Sequence, residues 1–108
     1  MLLILNSLAH FLTDAVCAAA LFGMVRATAA DFSLAVVIYN TAAFTTQCLV
    51  GLATDRLRRH EPLAALGLGV CVLGALVPLP GAVTALTIGL GNSLFHVAGG
   101  TVTLKPAK

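Results

Sequence analysis

Apolar residues run almost unbroken along this chain, and a few charged positions cut the run into segments. Residues 2–25 carry one charge, Asp14, and stop at Arg26. Residues 32–54 carry none, and neither do residues 62–104. Between those runs lies the one dense cluster, Asp55, Arg56, Arg58, Arg59, His60 and Glu61, with Pro62 behind it as a helix-start signal. A bilayer-spanning helix takes about 20 mainly apolar residues, so the last run is too long for one span. Pro78-Leu79-Pro80-Gly81 divides it, because two prolines and a glycine are strong turn punctuation. The pattern predicts spans over 2–25, 32–54, 63–77 and 82–104, with a loop over 55–62. Nothing alternates with the period of a barrel strand. The spans are therefore read as helices, which satisfy their own backbone in lipid.

Composition strengthens this reading. Of 108 residues, 59% are hydrophobic and 9% charged, against roughly 25% charged in an ordinary soluble domain; mean hydropathy is +1.03. Such a chain cannot clothe a small domain in polar groups. That argues against a soluble enzyme, a disordered chain and a nucleic-acid binder, and a net charge of +2 is too small to attract a polyanion. The expectation is an all-α membrane protein, one membrane domain over 1–108, with the lipid bilayer as its partner. A cleaved leader is the rival for the first segment, with Ala27-Thr28-Ala29 resembling a cleavage site. Met1-Leu2-Leu3-Ile4-Leu5 lacks a basic start, however, and Asp14 would interrupt the apolar core.

Lys and Arg near span ends set orientation. Three arginines lie between spans two and three, two lysines (Lys105, Lys108) follow span four, and Arg26 alone lies on the other side. Both termini and the 55–62 loop are thus expected in the cytoplasm. Cys17, Cys48 and Cys71 sit in apolar stretches without metal spacing and read as buried, unpaired packing residues.

Polar side chains inside spans are costly and face protein or water. In span one, Asn6, His10, Thr13, Asp14 and Cys17 fall in a sector of about 100°, and His10 and Asp14 are close enough in register to touch. In span two, Asn40, Gln47, Gly51 and Thr54 share a face, with Thr41 and Thr45 beside it. In span four, Gly89, Asn92, Ser93, His96, Gly99, Gly100 and Thr103 fall in a sector of about 120°. Span three offers small surfaces only, at Gly67, Gly69, Cys71, Gly74 and Ala75. Helix packing accounts for the glycines and threonines. A mid-span carboxylate costs at least ~2.5 kcal/mol, so His10 and Asp14 point to a substrate or proton path, beside a structural hydrogen bond; His96 fits either. A metal site from His10, Asp14 and His96 and an embedded hydrolase using Cys17 or Ser93 are weaker readings. No phosphate-binding or dinucleotide motif is present. No cofactor and no enzymatic activity are expected.

Gly51-Leu52-Ala53-Thr54-Asp55-Arg56-Leu57-Arg58-Arg59 resembles the loop signature between the second and third helices of the major facilitator superfamily. His10-Phe11-Leu12-Thr13-Asp14, Tyr39-Asn40 with Gln47, and Gly91-Asn92-Ser93-Leu94-Phe95-His96-Val97-Ala98-Gly99-Gly100 are similar to one bacterial branch of that superfamily. The resemblance implies four transmembrane helices at the start of an N-terminal six-helix half. It implies membrane transport of a small molecule, with protons as possible coupling ions, in a bacterial inner (cell) membrane. On it, His10, Asp14, Asn40, Gln47, Asn92 and His96 contact substrate or protons, while Gly51, Asp55, Arg56 and Arg59 form the gating loop. Asp55, without an opposing half, pairs locally with Arg58 or Arg59. Two departures stand out. Arg58 replaces the glycine that usually follows Asp-Arg-x, which points to a rearranged turn. The fourth-helix arginine of many drug/proton antiporters is absent, leaving His10, Asp14 and His96 as proton carriers. Because substrate binds between halves in this architecture, the chain reads as an N-terminal fragment that does not transport alone, its partners being the missing helices. The other reading is a self-contained four-helix protein that self-associates as a channel subunit or membrane adaptor.

Overall fold

The computed structural model describes residues 1–23 and 29–104, which are almost entirely helical and contain no strand. Five helices occur in order: α1 (Leu2–Gly23), α2 (Ala29–Asn40), α3 (Gln47–Leu57), α4 (His60–Leu76) and α5 (Gly81–Leu104). A π-helical stretch, Thr41–Thr45, joins α2 to α3. By length and composition α1 and α5 can cross a membrane, and α2 with α3 makes a third span if its 41° bend is crossed as one. α4 is apolar but has 17 residues, about 25 Å of helix against a hydrocarbon core of about 30 Å.

The element boundaries shift from those expected. Span one ends at Gly23 among the described residues, and Arg26, Lys105 and Lys108, on which the expected orientation partly rests, lie outside them. Span two starts at Ala29 rather than residue 32, since two alanines favour helix and Asp31 suits the positive first turn. The 55–62 loop shrinks to Arg58 and Arg59, because α3 runs through Asp55–Leu57 and α4 begins at His60. Pro62 sits inside the first turn of α4, where its missing N–H costs nothing. The turn is tight in spite of the missing glycine: Arg58 itself takes the left-handed conformation, φ 52° and ψ 25°, and its N–H bonds the Thr54 carbonyl. At the other end, Pro78-Leu79-Pro80 separates α4 from α5 as expected. Thr84 N–H reaches back to the Pro80 carbonyl at 2.9 Å.

α5 is the axis of the bundle. Half of its most apolar stretch is buried, against 11% for that of α1. α1 runs antiparallel to it, with Asn6 at Thr103 and Cys17 at Ile88. α2 and α3 run parallel to it, with Thr46 at Ser93 and Gly51 at Val97. α4 is antiparallel and very close. A Cβ on Gly67 would lie 2.5 Å from the Phe95 nitrogen, and one on Gly91 2.9 Å from the Cys71 nitrogen. Only hydrogen at these two positions lets the backbones meet. Gly67, Cys71 and Gly74 are buried in this seam, whereas Gly69 faces open space. Cys17 and Cys71 are fully buried, but Cys48 is exposed on α3, so the expectation of three buried thiols holds for two.

Candidate functional site

Helical spacing stacks Asn6, His10 and Asp14 along one stripe of α1, and the antiparallel α5 brings Thr103, Gly99, His96 and Asn92 opposite them. Asn6 donates through Nδ2 to the Thr103 hydroxyl and, at 3.2 Å, to the Gly99 carbonyl. Asp14, midway along α1, accepts through a single oxygen, Oδ1, from Asn92 Nδ2 and His96 Nε2, both at 3.0 Å. Its Oδ2 has no hydrogen-bond partner among the described residues. The Asp14 side chain is 56% exposed and that of His96 27%. Asn92, buried, also contacts the Tyr39 hydroxyl of α2.

The expected His10–Asp14 pair does not form. His10 instead donates from Nδ1 to the Asn6 carbonyl at 2.8 Å, satisfied within its own turn. That leaves the lone pair on Nε2. The His10 ring meets His96 edge-on, centroids 4.6 Å apart, and lies 4.8 Å from Phe95. Among the described residues no three His, Cys, Asp or Glu side chains are grouped to hold a metal ion. A cavity of about 430 Å³ opens beside this stripe, lined by Asn6, Ser7, His10, Gly100 and Thr103. Polar groups therefore line up from the end of the bundle to the middle of α1.

Four of the expected residues, His10, Asp14, Asn92 and His96, come together here. Asn40 and Gln47 do not join them. Asn40 is exposed and donates to the Val36 carbonyl of its own helix at 2.8 Å, while Gln47 is half-buried across the π stretch. An extra residue in a turn rotates the remainder of the helix by roughly 100°, so a face drawn for an unbroken α-helix is split there. The turn residues stand apart as well. Gly51 faces Val97, and Thr54 is buried and bonds the Gly51 carbonyl. Asp55, Arg56 and Arg59 are exposed. The local pairing expected of Asp55 is absent: it forms no ion pair with Arg58 or Arg59. Held in a left-handed turn and at the start of a new helix, Arg58 and Arg59 do not close on it.

Tyr39 is the member of the site that side-chain spacing did not reveal; its signals in the sequence are its place in the Tyr39-Asn40 resemblance and its being the sole tyrosine of the chain. Tyr39 packs against the buried cluster that holds Cys17 and Cys71. Both sulfurs approach the Ile88 carbonyl, at 4.0 and 3.5 Å. Polar contacts thus run from the open Asp14 carboxylate through Asn92 to the Tyr39 hydroxyl, at the edge of that cluster. Compared with known protein families, with curated proteins and with solved structures, the chain matches none.

Proposed function

We propose that the α1–α5 stripe is one wall of a path for a small molecule or protons through a membrane, in a transporter of the major facilitator type. The observation that carries this reading is the exposure of Asp14. A carboxylate halfway along a helix of membrane-crossing length cannot face hydrocarbon at 56% exposure. It needs water or protein on its open side. Asn6, His10, His96 and the adjoining cavity continue the same polar surface, and the loop signature Gly51 to Arg59 adds sequence support. In this reading the four apolar segments all cross the bilayer, the 41° bend lying within the second and α4 spanning where its neighbours thin the layer. The α3–α4 turn faces the cytoplasm of a bacterial cell. The opposite wall is supplied by further helices, of the same transporter or of another chain. Asp14 and His96 carry the exchangeable proton, and no enzymatic step is involved.

The test uses cysteine accessibility in native membranes. Cys17 and Cys71 are buried, so a Cys48→Ser background leaves no reactive thiol. Asp14→Cys and His10→Cys are expected to react with a charged, membrane-impermeant methanethiosulfonate, and Phe11→Cys, on the apolar face, to stay unmodified. An unreactive Asp14→Cys would remove the path. Spontaneous Asp14→Cys cross-linking between two copies would replace it with the self-associating channel subunit or adaptor, in which a second chain covers the same exposed carboxylate.

A further inference from the structure

We infer that the α3–α4 turn is a phosphate-binding site, filled by the headgroup of an anionic lipid or by free phosphate. A cavity of about 470 Å³ lies here, walled by Arg58, Arg59, His60 and Glu61, with Leu2 and Val102 as apolar lining. The start of α1, the turn and the end of α5 therefore meet at one end of the bundle, where helices of this kind leave the hydrocarbon. Basic pockets between helices at that level suit lipid phosphates.

Three further observations point to an anion. Arg59 precedes α4 without making a side-chain capping bond, so the N–H groups of His60 and Glu61 stay open at the positive end of a 17-residue helix. Pro62 has no N–H to satisfy, and the next donor, Leu63 N–H, is taken by the Arg59 carbonyl at 3.2 Å. Neither Arg58 nor Arg59 forms an ion pair with a described carboxylate, which leaves two guanidinium forks free for phosphate oxygens. Third, His60 is 7% exposed and part of the cavity wall, yet its Nδ1 has no hydrogen-bond partner. A folded chain rarely leaves such an atom unpaired, and because it is enclosed beneath the wall, a phosphate in the cavity reaches it only with a turn of the ring. Glu61, on the same wall, opposes an anion and tunes the site downwards.

The test uses the full chain in neutral detergent and reads retained lipid by native mass spectrometry. Phosphatidylglycerol is expected to be retained about tenfold better than phosphatidylcholine. The Arg58→Gly/Arg59→Gln double variant, whose glycine keeps the left-handed turn, should lose that preference, and Glu61→Gln should raise it. Arg56→Gln, an equal charge change outside the cavity, should lose less than Arg59→Gln. Displacement of the lipid by millimolar inorganic phosphate would assign the site to phosphate itself, and resistance to it would assign the site to the lipid headgroup. Equal retention of both lipids without phosphate binding, or equal losses from Arg56→Gln and Arg59→Gln, would overturn the site. The site does not depend on Asp14, so its failure leaves the transport reading untouched, and the reverse holds too.

Discussion

At the scale of single residues, two side chains hold positions that their types resist. Arg58 takes a left-handed backbone conformation that costs a residue with a Cβ about 1 kcal/mol relative to glycine. Arg58→Gly should therefore stabilise the chain by about that amount. The chain has no tryptophan, so unfolding is best followed by a thiol-reactive dye that reaches Cys17 and Cys71 only as the bundle opens. A lower midpoint for Arg58→Gly would mean that the guanidinium makes up for the strain. Asp14 is the second case, a carboxylate whose polar neighbours supply two donors to one oxygen and leave the other open. Its position was legible in the sequence, since no other charge interrupts the first apolar run. Its partners were not. Spacing within one helix suggested His10, four residues away, but that imidazole bonds the carbonyl one turn before it. The donors to Asp14 come from α5, and a contact between helices so far apart in sequence leaves no trace in local periodicity.

Among the elements, the clearest rule is close approach between α4 and α5. Gly67→Ala places a methyl against the backbone of Phe95 and Gly91, a clash no rotamer relieves, and should cost about 1–3 kcal/mol. Gly69→Ala, two residues on, meets nothing within 4 Å and should leave the unfolding midpoint unchanged or raise it slightly. Equal effects from the two would show that the seam yields. Small residues in this segment marked it for packing, but five of them at mixed spacing did not say which face was meant. α2 and α3 teach the converse lesson. The apolar run of residues 32–54 correctly announced helix, yet nothing in Thr41–Thr45 marks a π turn. The crossing beside it is close: a Cβ on Gly89 would sit 2.8 Å from that of Ala42 and 2.9 Å from the Tyr39 carbonyl. Thr46, just past the π stretch, then meets Ser93 at 2.9 Å. Stripes drawn from one helical phase fail at that point, and with them the grouping of Asn40 with Gln47.

For the molecule as a whole, the three cysteines report on the bundle directly. One equivalent of a small maleimide should react quickly with Cys48, and the other two thiols should react only at the rate of unfolding. Prompt reaction of all three would mean that α1, α4 and α5 are not packed together at rest. Overall architecture was readable to the extent that burial in lipid and in protein demand the same apolar runs. Which run would serve as the axis was not, because α5, half enclosed, and α1, largely exposed, are both long and apolar. The asymmetry also has a consequence for the order in which the structure is made. α5 comes after the other four helices in the chain, so while the polypeptide is being synthesised they emerge before the element that binds them together. A nascent chain paused ahead of Gly81 presents the Gly67 surface, Thr46, Asp14 and Asn6 with nothing to meet. Consolidation then comes as a single late event, when one arriving helix closes four sets of contacts at once.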